Sequence, residues 1–367
     1  MPVKNFENLN TTTDTTTTRT LLHEAIPVTG TIVSGVYGNW TSETNVKNYT
    51  HGMFQSVYDY PFLSSSANHI FDLTMVFDED STLSGSLNVV QQSKKINIYN
   101  EFAQVMVGYT GSDNAVRKFE SDLVLDATAT RLMKDAYFLS FSRLLNKDMV
   151  KKGSVNLKIG TGSWDAPFAG TGGSILTLQD ISASSNDAGT QDTVGGQYGL
   201  LYENNGDGTY GKGGGSGVYG LVFYQAGLIV ITGSIFSSSA TFFSKSHSDG
   251  GGYYGLTGSF VSQSISGNCD AFRHRLYNLS FNNTTEINST IYFCRVPHNK
   301  FNYSSNPTYT SGSKIRVKNL ASDQPVSYIT TIGLYSANNE LVAVAKLSEP
   351  LKKDPTNDIT LRVRLDY

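Results

Sequence analysis

The sequence predicts a strand-dominated α+β fold, with a β-rich N-terminal region, a central helical block, a Gly-rich β region and a C-terminal antiparallel β domain. Short apolar runs separated by turn residues make up most of the 367 residues. Only 16% of the residues are charged, which is low for a chain with many solvated helices. Helical periodicity is confined to about residues 94–152 and to a short segment after residue 263.

We expect three segments: an extended Thr-rich arm over 1–20, a mixed domain over 21–262 and a C-terminal β domain over 263–367. The arm contains TTTDTTTTRT, which has too little apolar surface to fold alone. Two interpretations stay open for it. It is either a loose tail or a segment that becomes ordered as a strand on a neighbour, because β-branched Thr suits strands.

Composition limits the expected partners. The net charge is -3, so no overall basic field favours nucleic acid. The apolar runs are too short and too often interrupted by Gly for a membrane helix. MPVKNFENLN lacks the apolar core of a secretory signal, and two cysteines do not make a disulfide framework. We therefore expect folding in a reducing cytoplasm, without nucleic-acid or membrane partners.

The first elements are strands and loops, in IPVTGTIVSGVYGNW, MFQSVYDYPF and HIFDLTMVF. The helical block begins with KKINIYNEFAQVMVG, where apolar residues recur near the helical period and Gly108 is a plausible stop. SDNAVRKFESDLVL follows, with Asp113 as a candidate N-cap. TRLMKDAYFLSFSRLLNKDMVKKG predicts the longest helix, with Leu132, Ala136 and Leu139 on one face and Gly153 just past its end.

Strand patterns resume after the helical block, in SVNLKIG, ILTLQDI, YGLLYEN, GVYGLVFYQ and LIVITGSIF. A short helix is expected around DAFRHRLYNL. Further strands follow in STIYFCRV, KIRVKNL, YITTIGLY, LVAVAKL and ITLRVRLDY. The last of these alternates cleanly, which predicts that the chain ends as a half-buried strand.

A β-hairpin near the C-terminus is the most completely specified element. Its strands are Tyr328–Tyr335 and Glu340–Leu347, and its turn is Ser336–Asn339, where Asn tolerates a left-handed backbone. Pro350 is expected to end the second strand, because proline has no N–H for the ladder.

Four residues have ligand types suited to zinc: Cys269, His274, Cys294 and His298, spaced C-x4-H, nineteen residues, then C-x3-H. This spacing departs from the usual C-x2-C start, and a buried Cys with surface histidines is the competing interpretation. We favour the second interpretation and expect no metal and no cofactor.

Other motifs are weaker. GDGTYGKG at 206–213 lacks the Ser or Thr of a phosphate loop, so a glycine turn is favoured. HSDGGG at 247–252 puts Ser, His and Asp side by side in sequence, whereas a catalytic triad needs spatial adjacency. DEDS at 78–81 is expected to be a solvated turn. No pair of carboxylates indicates acid–base chemistry, so no catalytic residue is predicted.

Several segments resemble structural proteins of tailed bacteriophages: HGMFQSVYDYPFLSSSANHIFDLTM, EFAQVMVGY, RLLNKDMVKKGSVNLKIG, and IYFCRVPHNKFNYSSNPTY with YITTIGLYSANNELVAVAKLSEPL. The similarity is to tail or baseplate proteins of myoviruses, including marine and cyanobacterial ones. ITTIGLYSANNELVAVAKL also looks like the hairpin in attachment domains of tail-fibre proteins. The resemblance covers most of the chain outside 165–260 and has no catalytic residues to transfer.

This resemblance implies a non-enzymatic tail or baseplate subunit, assembled in the host cytoplasm and located in the virion. Its partners would be other virion proteins and copies of itself, in contacts that close into a ring around the tail. The expected docking segments are the arm and the region from Tyr328 to Leu351, and the interface candidates are Tyr328, Ile332, Leu334, Tyr335, Leu341, Val344 and Leu347.

Other functions stay open. One is a host-receptor or glycan-binding tip or fibre module, which would present solvent-facing aromatic residues in 165–260. Another is a neck or head-vertex structural protein. An enzyme such as a cell-wall hydrolase ranks third.

Overall fold

The computed structural model describes residues 6–32, 43–84, 90–110, 114–128, 130–169, 175–185, 189–204, 217–236, 241–244, 251–304, 310–311, 314–315, 322 and 324–367. Strands dominate these residues and helices are few, which confirms the α+β, β-rich fold class. No helix in this part of the chain has the length and apolar character needed to cross a membrane.

The strands are β1 (Thr15–Ile26), β2 (Val46–Asn48), β3 (Gln55–Tyr58), β4 (His69–Phe77), β5 (Asp135–Phe141), β6 (Met149–Val150), β7 (Asn156–Gly160), β8 (Ile175–Gln179), β9 (Thr190–Thr193), β10 (Gly196–Glu203), β11 (Val218–Phe223), β12 (Leu228–Thr232), β13 (Phe243–Ser244), β14 (Tyr253–Tyr254), β15 (Leu276–Val296), β16 (Thr310–Ser311), β17 (Lys314–Ile315), β18 (Ser327–Tyr335), β19 (Leu341–Lys353) and β20 (Ile359–Asp366). The α-helices are α1 (Val90–Met106), α2 (Arg143–Asn146), α3 (Leu256–Ser262) and α4 (Ile265–Arg275). Short 3-10 turns occupy Thr29–Thr31, Ile181–Ser185 and Gly233–Phe236.

The chain divides into two compact units. One consists of Leu22–Thr285, and the other combines Met1–Leu21 with Glu286–Tyr367. The division falls after Thr285, whereas the sequence predicted a boundary at 262/263. The boundary lies later because α4 packs against β4 and so belongs to the larger unit. The residues of the Thr-rich arm belong to the same unit as the C-terminal strands.

The larger unit is built on an antiparallel sheet with the strand order β15-β7-β8-β10-β11-β12-β5-β4-β3-β2. Its centre is buried on both faces. Neighbouring side chains on β5 point to opposite faces: Phe138 meets Phe102 of α1 at 4.6 Å between ring centroids, and Tyr137 meets Phe272 of α4 at 4.7 Å. The two helices therefore cover opposite faces of the central strands.

The prediction of one long helix over TRLMKDAYFLSFSRLLNKDMVKKG is wrong. Its sequence forms β5, the four-residue α2 and β6 instead. β5 pairs with β4 on one side and β12 on the other. A strand covered on both faces has no polar alternation, so its apolar run matches a helical period equally well. The aromatic residues Tyr137, Phe138 and Phe141 suit a strand better than a helix.

The other helix predictions have mixed outcomes. α1 is confirmed, and it ends where Gly108 adopts φ +87° and donates its N–H to the Ala103 carbonyl at 3.0 Å. SDNAVRKFESDLVL forms irregular loop structure in its described part, with isolated bridges and bends in place of a helix. Its candidate cap Asp113 lies outside the described residues. The short helix after 263 is confirmed as α4, and Ser264 caps it by accepting the Gly267 N–H.

The smaller unit contains the β15–β20 pairing and two two-stranded sheets, β16–β17 and β18–β19. The alternation predicted for the last strand is confirmed: Val363 is buried while Arg362 and Arg364 are exposed. The hairpin is confirmed too, and Asn339 has the expected positive φ of 61°. The stop at Pro350 is wrong. β19 continues to Lys353, because residues 347–350 bulge out opposite Thr330, where no ladder N–H is needed.

Candidate docking surface

The β18–β19 hairpin exposes an apolar face. The pairs Ile332–Ala345 and Leu334–Ala343 occupy a half-buried face, and the intervening pairs Thr331–Lys346 and Gly333–Val344 occupy the exposed face. Residues one apart in a strand point to opposite sides. The hairpin is therefore a two-sided sheet, with one side open to solvent along its length.

The exposed face carries a cluster of large side chains around Gly333. A methyl group at Gly333 would lie 2.9 Å from the Tyr335 ring and 3.2 Å from Leu341 Cδ1, so both side chains lean over this glycine. The exposed fractions of Tyr335, Leu341 and Val344 are 41%, 53% and 52%. We call this cluster the hairpin patch and define it as Phe6, Tyr335, Leu341, Val342 and Val344.

The patch includes a residue distant in sequence. The Phe6 ring meets the Tyr335 ring edge to face, with centroids 5.1 Å apart, a favourable aromatic geometry. Sequence patterns gave no reason to pair Phe6 with the hairpin, because the contact joins opposite ends of the chain. Val342, the most exposed member at 69%, was also missed, since it lies at a bulge between the pairs of Leu334 and Tyr335.

Polar contacts hold the base of the hairpin. Lys353 is fully buried and donates from Nζ to Asn302 Oδ1 at 2.8 Å, to the Asp354 carbonyl at 2.7 Å and to the His298 carbonyl at 3.3 Å. The buried Ser327 donates its hydroxyl to the Phe301 carbonyl. The hairpin is thus anchored at its base, while its outer part presents the patch.

The seven interface candidates fall on both sides of the hairpin. Tyr328, Tyr335, Leu341 and Val344 are exposed. Ile332, Leu334 and Leu347 are half-buried. The structure therefore brings Tyr335, Leu341 and Val344 together into one accessible cluster and places the half-buried candidates elsewhere.

The Thr-rich arm is ordered on its own chain. β1 pairs with β15, the Asp14 carbonyl accepts the Phe293 N–H at 2.8 Å, and Asp14 Oδ1 pairs with Arg295 at 2.7 Å. Arg19 forms an ion pair with Glu286. From Thr15 onward the arm thus takes the extended form that its Thr content favours, against a strand of the same chain, while residues 11–14 form a turn.

No protein-family model matches this chain, and neither the curated proteins nor the solved structures include a match. The resemblance to phage structural proteins therefore stays a prediction, and the functional argument depends on the geometry of the chain itself.

The four candidate zinc ligands are not gathered into a metal site. Cys269 is buried and its thiol donates to the Leu73 carbonyl, and His274 Nε2 lies 2.8 Å from the Trp164 carbonyl. Cys294 lies in β15, and His298 is exposed beside Asp358. Within the described ranges, three side chains of the types that bind metals (His, Cys, Asp or Glu) come together only at Glu120, Asp122 and Asp126.

The acidic cluster was missed because ESDLVLD was assigned to the helical block. Its E-x-D-x3-D spacing was the available signal. In a helix, residues 120, 122 and 126 would not share one face. In the observed loop their carboxylates meet.

The remaining motifs add no catalytic group. GDGTYGKG and residues 247–250 of HSDGGG lie outside the described residues. DEDS is not merely a solvated turn, since Asp78 is buried and its Oδ2 lies 2.6 Å from Lys118 Nζ, which also pairs with Asp80. These contacts tie the turn to the segment before Glu120.

Proposed function

We propose that this chain is a non-enzymatic structural subunit of a phage tail or baseplate, and that the hairpin patch contacts another virion subunit or a second copy of the chain. The observation that carries the proposal is the anchored hairpin with its exposed apolar face. The family resemblance supplies the virion setting.

The physical argument starts from the instability of lone hairpins. A two-stranded sheet with one open face buries little apolar area and is marginal in water. Exposed apolar clusters of this kind mark interaction sites. Placing such side chains on a firmly anchored element is useful if a partner covers them, because little ordering then remains to be done on binding.

The composition of the patch fits an interface. Aromatic residues are enriched, and charged residues depleted, at interface centres. Tyr335, Leu341 and Val344 form an uncharged centre, and the exposed Lys346 and Glu340 lie beyond it. The contact would therefore be apolar at its centre and polar at its rim.

The experiment introduces a charge into the patch. Val344→Asp and Leu341→Asp should weaken association by about 30-fold or more, since burying an uncompensated charge at an interface centre costs at least about 2 kcal/mol. The matched control is Thr331→Asp, on the same exposed face but paired with Lys346. Light scattering coupled to size exclusion reports self-association, and incorporation into particles grown with each variant reports contacts to other virion proteins.

Three outcomes distinguish the possibilities. Loss of incorporation or of self-association in both patch variants, with Thr331→Asp unaffected and circular dichroism unchanged, supports the proposal. Normal incorporation and an unchanged oligomeric state in both patch variants refute it. An equal loss in Thr331→Asp also refutes it, because the effect would then come from charge and not from the patch.

A second candidate function has its own observation. In the larger unit, Phe168 and Tyr277 are exposed and their rings meet at 5.4 Å, and the exposed Tyr253 donates its hydroxyl to Asp165. Aromatic faces beside a carboxylate suit sugar binding, because sugars stack on rings and donate hydroxyls. Binding on a glycan array that is lost in Phe168→Ala and Tyr277→Ala would support a host-binding role; a silent array would count against it.

A further inference from the structure

Three carboxylates meet in the loop between Glu120 and Leu132, which are joined by an antiparallel bridge. One carboxylate oxygen from each of Glu120, Asp122 and Asp126 lies within 4.8 Å of the other two. Glu120 and Asp122 are buried, and Asp126 is exposed. Three like charges this close repel one another unless a cation or a proton neutralises part of the charge.

Glu120 provides the second observation. Its side chain is only 3% exposed, and its Oε2 has no hydrogen-bond partner. Oε1 accepts the Ala127 N–H at 3.0 Å. The Asp126 backbone N–H lowers the pKa of this carboxyl without reaching Oε2 in a normal hydrogen bond. A buried carboxylate oxygen without a partner costs free energy, so this atom points to something that binds there.

Hydrogen bonds and one ion pair hold the side chains of Asp126 and Asp122 in place. Asp126 makes its bonds to the Thr128 N–H and hydroxyl through Oδ1, at 3.0 Å and 2.6 Å. Asp122 accepts the Val124 N–H on Oδ1 and pairs with Arg131 on Oδ2 at 2.8 Å. When all are ionised, the three carboxylates and the Arg131 guanidinium together carry a charge of -2, which a divalent cation would balance.

We infer that Glu120, Asp122 and Asp126 bind one Ca²⁺ ion. Hard cations prefer carboxylate oxygens, and Ca²⁺ takes them at about 2.3–2.6 Å. One oxygen from each carboxylate lies within 4.8 Å of the other two, so all three can reach one ion at that ligand distance. Mg²⁺ demands near-ideal octahedral geometry at about 2.0–2.1 Å, whereas Ca²⁺ accepts an irregular ligand set of the kind that one loop provides. The exposed side of Asp126 leaves room for water to complete the coordination.

Burial raises the pKa of Glu120, and the charges of Asp122 and Asp126 raise it further. A proton on Glu120 is therefore the competing way to neutralise the cluster, and the experiment must separate the two.

The experiment titrates Ca²⁺ into the full chain after EDTA treatment, by isothermal calorimetry at neutral pH, with Tb³⁺ luminescence as a second probe. Tyr198 donates its hydroxyl to the Asp122 carbonyl at 3.0 Å, close enough to sensitise Tb³⁺. Glu120→Gln and Asp126→Asn remove ligands. The matched control is Asp354→Asn, because Asp354 accepts the same N–H and hydroxyl pair from Thr356 at 3.0 Å and 2.5 Å in another exposed turn.

We expect one equivalent of Ca²⁺ to bind the wild type and to raise its melting temperature. Glu120→Gln and Asp126→Asn should each weaken binding about tenfold or more, and Asp354→Asn should leave it unchanged. If Glu120→Gln fails to fold, the exposed Asp126→Asn still decides. Absence of saturable binding at millimolar Ca²⁺ overturns the inference in favour of a protonated Glu120. An equal loss of binding in Asp354→Asn also overturns it, because the binding would then not be specific to this loop.

Discussion

Replacing Lys353 by Met should detach the hairpin from its base while leaving the larger unit intact. The Lys353 ammonium makes two short hydrogen bonds, to Asn302 Oδ1 at 2.8 Å and the Asp354 carbonyl at 2.7 Å, and a longer one to the His298 carbonyl at 3.3 Å. Hydrogen bonds to a charged group contribute about 1.5–3 kcal/mol each. Met keeps the aliphatic length and removes every donor.

The net loss is smaller than the sum of those bonds. His298 is exposed and Asn302 is half-buried, so water can replace part of what the ammonium satisfied. We expect the free energy of opening the hairpin to fall by about 2–4 kcal/mol, which accelerates amide hydrogen exchange in β18 and β19 by roughly 30- to 700-fold.

Hydrogen exchange with mass spectrometry measures this change by segment. The control is Lys352→Met, which removes an exposed charge 3.6 Å from Asp354 and should cost less than about 1 kcal/mol. The reasoning is refuted if exchange in β18 and β19 stays within about threefold of the wild type, or if Lys352→Met accelerates it equally. Faster exchange throughout the larger unit would show a global effect in place of a local anchor.

Three further predictions concern the larger unit. Burial lowers the pKa of Lys95 to about 8, so between about pH 8 and 10.5 the unfolded chain binds more protons than the folded chain. The free energy of unfolding should therefore rise by about 3 kcal/mol across that window. Calorimetry should show that Lys95→Met removes this dependence on pH. Asp180 is buried and accepts two backbone N–H groups and the Tyr224 hydroxyl, so Asp180→Asn should lower the urea unfolding free energy by about 1–3 kcal/mol, because its amide would place a donor against a donor; an unchanged midpoint would contradict this. Gly108→Ala should cost about 1–2 kcal/mol in the same assay, because φ is +87° and the added methyl would lie 2.8 Å from Val194; a gain in stability would contradict it.

The sequence predicted elements whose signals are local. The hairpin followed from two apolar runs around an Asn-rich turn, and the last strand from strict alternation ending in Val363 and its neighbours. Both signals survive folding because the flanking residues alone determine them. The end of α1 at Gly108 could be predicted for the same reason, since that helix end requires a residue that tolerates a positive φ.

Features that depend on distant contacts were missed. β5 looked helical because the helices on both faces of the sheet hide its alternation. Nothing in the local sequence places Phe6 on Tyr335, and the E-x-D-x3-D spacing does not reveal that folding leaves one Glu120 oxygen unsatisfied. Pro350 was read as a stop because its missing N–H was known, while the bulge that accommodates it depends on four residues lying opposite one.

The bulge at Pro350 limits how the hairpin can associate. Proline and irregular backbone along an outer strand discourage another strand from adding there, so the β19 border is poorly suited to backbone pairing. A continuous sheet built from many copies of the hairpin needs both edge strands to accept a partner strand. With one edge interrupted, strand addition would stop after a single step, so we expect the exposed apolar surface of the hairpin not to seed fibres.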